Sequence, residues 1–168
     1  TEIDKNRYNV SSIKLSKSVA NKLRKNSKKK SSYASNKIEG NPLSEQQVDE
    51  VIESDERKHF LKPEQELRNY FLALNYLEEM ALKKEPFSKK MILDVQKLVE
   101  KGASKEKIGL RGPMPPGVLF AVYDSKSGNP DYIPPECSDI PSLLDKLVDY
   151  VNTTDDHPLI VAAIVHYQ

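Results

Sequence analysis

At 168 residues the chain can bury a core as one domain, and its 26 basic and 25 acidic side chains leave a formal net charge of +1, so no global field argues for nucleic acid or an anionic membrane. The single cysteine, Cys137, excludes an internal disulfide and fits a reducing, cytoplasmic compartment, and without a Cys/His cluster no structural zinc is expected. The longest apolar run, Leu159 to Val165, falls far below the ~18 residues of a membrane span, and no basic stretch leads into an apolar one near the N-terminus as a secretion signal requires.

Thr1 to Ser32 is polar and lysine-rich. Its apolar stripe of Ile13, Leu15, Val19 and Leu23 predicts a surface helix from about Ser16 to Arg24, followed by a solvated basic linker through Lys28-Lys29-Lys30. Tyr33 to Glu39 has room for two helical turns, and Gly40 is a stop signal. Ser44 and Gln47 form a capping box, with Leu43 and Val48 placed as a hydrophobic staple, and the helix they open is expected to reach about Arg57. Pro63 lies in the first turn of what reads as the longest helix, whose buried face is Leu67, Phe71, Leu74 and Leu77. Glu64 and Glu66 at its start and Lys83 and Lys84 at its end complement the helix dipole. Ser88 caps the next helix, with Met91, Ile92, Val95, Leu98 and Val99 inward and Gly102 ending it.

Between Ile108 and Pro135, four glycines and six prolines break the helical period. Val118 to Tyr123 has strand propensity, Asp124 to Asp131 has turn chemistry, and Tyr132-Ile133 reads as the returning strand of a hairpin. Ser138 is expected to open a helix facing inward through Ile140, Leu144, Leu147 and Val151. Asp156 or His157 caps the last helix and Pro158 fits its first turn, whereas Tyr167-Gln168 carries no stop signal, so this helix reads as cut or losing order within the element.

No complete active site is present in these residues. His59, His157 and His166 have no nucleophile in a recognisable setting, and Asp155-Asp156 read as capping, solvated carboxylates. Gly109-Leu110-Arg111-Gly112-Pro113 lacks the lysine and the following helix of a phosphate cradle. Pro113-Met114-Pro115-Pro116 fits rigid loop punctuation better than a polyproline ligand, and the basic run from Arg24 to Lys30 lacks the aromatics of a nucleic-acid surface.

Five ordered segments carry a family resemblance. They are Ser35-x-x-x-Glu39-Gly40, Glu64 to Asn69-Tyr70, Ile92 to Gly102, Arg111 to Tyr132-Ile133-Pro134-Pro135, and His157-Pro158-Leu159 to His166-Tyr167-Gln168. Together they resemble Fic-domain (Fido) protein adenylyltransferases with an N-terminal inhibitory helix, and the resemblance runs from about Ser32 to Gln168. The implied fold is mainly α, a Fic-type helical domain with one β-hairpin flap. The implied division is an N-terminal helix and basic linker over 1–32 and the Fic-type domain over 33–168, with the inhibitory helix at 33–40 and the flap at 108–135. The departures are Gln96, where the family often has histidine, the insertion Gly112 to Gly117 before Val118, and a longer hairpin tip from Asp124 to Pro130.

The resemblance implies transfer of AMP from ATP to a Ser, Thr or Tyr hydroxyl of a target protein. The catalytic loop, His-x-Phe-x-(Asp/Glu)-Gly-Asn-x-x-Arg-x-x-Arg, does not occur in the 168 residues, so no catalytic residue is assigned here and ATP with a divalent cation (Mg) is expected to be held mainly by that loop. Glu39, with Ser35 and Gly40, is the implied autoinhibitory group, and Arg111, Val118, Leu119, Phe120 and Ala121 are the implied nucleotide or target flap. The protein target is expected to dock on the hairpin, homodimerisation is left open, and neither nucleic acid nor membrane is expected as a partner. Taken alone, Glu39 is a helix-end carboxylate, Ser35 serves equally as a helix N-cap, and Arg111 equally as a surface charge. The rival readings are a non-catalytic helical interaction domain, or a Fic-fold enzyme that moves another phosphate-containing group or removes AMP.

Overall fold

The structure is a computed structural model that describes residues 1–54, 59–103 and 108–168. Two compact units arise, Thr1–Asn75 with Lys101–Ala103, and Tyr76–Glu100 with Ser104–Gln168. Among the described residues there are seven helices and one two-stranded antiparallel hairpin, and no helix is long and apolar enough to cross a membrane.

In the first unit, helix α1 (Glu2–Ser11) lies where no helix was expected. Its signal is local: Thr1 Oγ1 accepts the Asp4 amide and the Asp4 carboxylate accepts from the Thr1 amine at 3.1 Å, a capping box that needs no buried face. Helix α2 (Lys17–Ile38) starts where a helix was expected, and Ser16 caps it, its Oγ accepting the Val19 amide. It then continues through Lys28-Lys29-Lys30, where a linker was expected. Within this helical run Lys28 and Lys29 have partners. Lys28 Nζ donates to Asn75 Oδ1 at 2.6 Å and lies over the Phe71 ring, while Lys29 Nζ donates to Asp49 at 2.6 Å and Glu53 at 2.9 Å. The Lys29 contacts pin α2 along α3 (Glu45–Glu53), and Ser32, one turn on, is fully buried.

The capping box of α3 forms as expected, with Ser44 Oγ accepting the Gln47 amide and Gln47 Oε1 accepting the Ser44 amide. The helix ends at Glu53, and Arg57, its expected limit, lies outside the described residues. Helix α4 (Lys62–Leu82) has 21 residues against 22 in α2, so α2 and not α4 is the longest. The core joins Val48, Val51 and Ile52 of α3 to Leu67 of α4, with Tyr33, Leu43, Phe60 and Phe71 packed against them. Each such burial contributes about 1.5–3 kcal/mol. Asn69 and Ala73 complete the buried face of α4, and Leu77, placed there by periodicity, is exposed.

In the second unit, Ser88 Oγ accepts the Met91 amide and caps α5 (Lys89–Glu100), whose Met91 is buried. Helix α6 (Ile140–Thr153) starts two residues after Ser138, with Asp139 at the N-cap and Pro141 in the first turn, where it forfeits no hydrogen bond. Its expected inward face, Ile140, Leu144, Leu147 and Val151, is half-buried. The Asn152 side chain pairs with both the amide and the carbonyl of Phe87, and Lys89 with Asp145, so α6 is tied to the start of α5. Helix α7 (Pro158–Tyr167) is capped by His157, whose Nδ1 accepts the Leu159 amide. The hairpin pairs β1 (Val122–Tyr123) with β2 (Pro130–Tyr132), Val122 opposite Tyr132 and Tyr123 opposite Pro130.

Candidate functional site

In the first unit the informative place is the end of α2. Gly40 adopts φ +83°, its amide reaches the Lys37 carbonyl at 3.1 Å, and the Asn41 amide reaches the Asn36 carbonyl at 2.9 Å. That is a left-handed C-cap, which satisfies two carbonyls left over by the last turn. Glu39 occupies the C-cap itself, with its carboxylate exposed and without a hydrogen bond or ion pair among the described residues. Ser35 lies inside the helix and therefore is not an N-cap. Its hydroxyl stands 2.9 Å from that of Tyr70, on α4. The structure thus brings Ser35, Glu39 and Gly40 together on one helix end and fastens that end to the Asn69-Tyr70 segment.

Two buried amides hold the surroundings, and neither was among the site residues that the sequence suggested. Asn41 is 7% exposed, donates from Nδ2 to the Pro63 carbonyl at 2.9 Å, and accepts the Leu43 amide on Oδ1 at 3.1 Å. Asn69 is 1% exposed, donates to the Lys101 carbonyl at 2.8 Å and accepts from Gln65 at 2.7 Å. For Asn41 the available signal is an asparagine directly after a C-cap glycine, a position that suits side-chain to backbone bonding.

In the second unit, the flap differs from its expected form. Val118, Leu119, Phe120 and Ala121 were expected within a strand, but the ladder begins only at Val122, and the returning strand is Pro130–Tyr132 rather than Tyr132-Ile133. The cause is a pair of turns. Pro115 to Val118 closes one through Gly117 at φ +80°, and Asp124, accepting the Lys126 and Ser127 amides, closes the other tightly at the tip. The amides of Leu119, Phe120 and Ala121 consequently have no hydrogen-bond partner among the described residues. Arg111 donates to the Pro135 carbonyl and stacks its guanidinium 4.5 Å from the Phe120 ring centroid. It therefore ties the entry of the flap to its exit. Beside it runs a groove of about 710 Å³ lined by Arg111, Tyr132, Pro135, Leu144, Leu147 and Gln168.

Neither unit contains a reacting centre among its described residues. Among the described residues, no three His, Cys, Asp or Glu side chains converge on a point where a metal ion could sit. The glycine stretch at 109–112 makes no phosphate cradle, since the Gly109 amide is already given to Gln96 Oε1 at 3.0 Å. That bond also gives Gln96 a structural use. His157 serves its own helix as a cap, and Asp156 accepts the Tyr150 hydroxyl at 2.8 Å.

No protein-family model and no curated protein matches this chain. The chain is similar to the crystal structure of a Fic family protein from Desulfovibrio desulfuricans G20, with 25% sequence identity and a TM-score of 0.60. The likeness covers 86% of this chain and 41% of that one, so the chain spans well under half the length of its structural neighbour. The fold is thus the Fic helical fold, mainly α with one hairpin, as the sequence segments implied.

Proposed function

We propose that this chain is the regulatory and target-docking part of a Fic-type protein adenylyltransferase. In that reaction a Ser, Thr or Tyr hydroxyl of a target attacks the α-phosphorus of ATP, the bond to the β-phosphate oxygen breaks, and pyrophosphate leaves. The base that takes the hydroxyl proton, and the residues that hold ATP and a divalent cation, belong to the catalytic loop motif that is not in these 168 residues. What this chain supplies is a scaffold, a docking edge and an inhibitor. The carrying observation is the carboxylate of Glu39 at the end of α2, exposed and unpaired among the described residues, beside the cap at Gly40. A carboxylate so presented pairs with a loop arginine that the γ-phosphate otherwise uses. A charge-assisted bond of this kind contributes about 1.5–3 kcal/mol, enough to hold ATP in an unproductive pose.

The test is label incorporation by the protein carrying both this chain and the catalytic loop, as wild type, Glu39→Gln and Glu39→Gly. Transfer is expected to rise roughly ten- to hundredfold in Glu39→Gly and by less in Glu39→Gln, which keeps the shape and loses the charge. Equal rates in all three would reduce Glu39 to an ordinary helix-end carboxylate. Run with ATP labelled at the α- or the γ-phosphate, the assay also separates AMP transfer from phosphate transfer. The 168-residue chain alone is expected to transfer nothing, and incorporation by it overturns the assignment of chemistry to the loop.

A further inference from the structure

We infer that Asn41 and Tyr70 are positioning residues that hold the Glu39-bearing end of α2 in its inhibitory place. This rests on the reading of Glu39 as an inhibitor. The last turn of a helix frays unless something outside it holds it. Here the end has few apolar anchors, since Ile38 is 83% exposed and Glu39 and Gly40 are exposed as well. Polar contacts replace them. On one side of Glu39 the Ser35 hydroxyl meets the Tyr70 hydroxyl at 2.9 Å, one helical turn before the carboxylate. On the other, two residues after it, Asn41 is sunk to 7% exposure and gives Nδ2 to the Pro63 carbonyl at 2.9 Å, with Glu66 Oε2 at 3.4 Å. Both anchors lie on α4, so the carboxylate is bracketed by two tethers to one rigid helix. Asn41 further accepts the Leu43 amide, which sets the direction of the chain as it leaves the cap.

The experiment is an epistasis test in the protein carrying the catalytic loop, with Tyr70→Phe and Asn41→Asp each made in the wild-type and the Glu39→Gly backgrounds. Tyr70→Phe removes one hydroxyl and keeps the ring. Asn41→Asp keeps the acceptor for Leu43, loses the donor to Pro63 and sets a negative charge beside Glu66. Tyr70→Phe is expected to raise AMP transfer by about fivefold in the wild-type background, the factor one lost neutral hydrogen bond sets on an equilibrium, and Asn41→Asp by more, because the charge beside Glu66 adds to the lost donor. Neither is expected to change transfer in the Glu39→Gly background, where nothing is left to position. A merely structural role instead lowers transfer by the same factor in both backgrounds, and no change in either shows that the tethers do not position Glu39. Both results overturn the inference. If Glu39→Gly activates while these variants do not, only the tethers fall. If Glu39→Gly itself has no effect, the inhibitory reading falls and the tethers' regulatory role with it. Hydrogen exchange at the Gly40 and Asn41 amides gives a readout independent of activity: it is expected to accelerate in both variants, and unchanged exchange counts against the inference.

Discussion

Asn69 carries more of the first unit than its polarity suggests. Its side-chain bonds to Gln65 and to the carbonyl of Lys101 form at 1% exposure, where Asn69 itself has no water to fall back on. Asn69→Ala strands both, and the expected cost is about 1–3 kcal/mol. Urea denaturation checks it, as a lower midpoint at constant slope. The Asn69-Tyr70 pair was legible in the sequence as a family feature, but its physical use was not, because the Lys101 partner lies 32 positions away. A second residue gives a pH signature in the second unit. The carboxyl of Asp94 titrates below its ordinary value of 3.8 because Lys90 and then the Tyr76 hydroxyl hydrogen-bond its charged form. A group with a depressed folded pKa stabilises above its unfolded value, and that stability is lost as pH falls through the folded one. The second unit is therefore expected to weaken below about pH 4, and Asp94→Asn to flatten that part of the pH–stability curve. An unaltered slope in the variant assigns the acid sensitivity elsewhere.

At the scale of elements, α2 and α4 end in the same left-handed cap with different residues. Gly40 suits that conformation, and a Cβ built there meets nothing within 4 Å, so only the backbone resists substitution. At the end of α4 the same geometry falls on Lys84, with φ 56° and amide bonds from Lys84 to Ala81 and from Glu85 to Met80. Lys84→Gly is expected to stabilise the protein by about 1 kcal/mol, read as a raised denaturation midpoint. A neutral or negative result means that the lysine stem contributes packing that offsets the strain. The glycine caps and the Ser44, Ser88 and His157 starts were legible because capping is settled within a few residues. The continuity of α2 was not, since Lys29 finds Asp49 and Glu53 only after the chain has turned back. Those contacts also tune the lysine: burial disfavours its charge, but the bonds to Asp49 and Glu53 outweigh that and raise its pKa. In the flap, strand propensity placed the ladder four residues early, because the turns at Gly117 and Asp124 decide the register. The shift leaves the Leu119 to Ala121 amides open, the feature an incoming extended segment needs for strand addition. In the proposed docking mode, Leu119→Pro lowers target modification severalfold and leaves ATP affinity unchanged. Normal modification by that variant moves the docking site elsewhere.

Taken as a whole, the molecule is uneven in what it buries. The first unit closes a core around Val48, Val51, Ile52, Leu67 and Ala73, all at 7% exposure or less. Among the described residues of the second unit, Met91 is the buried apolar side chain, at 9%, while Leu159 is 54%, Ile160 51% and Tyr167 87% exposed along α7. That α7 is apolar was plain from its composition; that water reaches so much of it was not. A helix apolar on all sides gains nothing from water and belongs in an interior. In the 168-residue chain α7 is therefore expected at the low end of local stability. Hydrogen exchange on that chain is expected to show the amides of α3 protected on the order of a hundredfold more than those of α7. A dye specific for exposed apolar surface is expected to bind under native conditions and to lose much of its signal when Ile160 and Ile164 are replaced by serine. Equal protection of the two helices, or no dye binding, means that α7 is covered in solution by contacts between copies of the chain. Sedimentation at several concentrations then distinguishes a self-associating α7 from one that stays wetted.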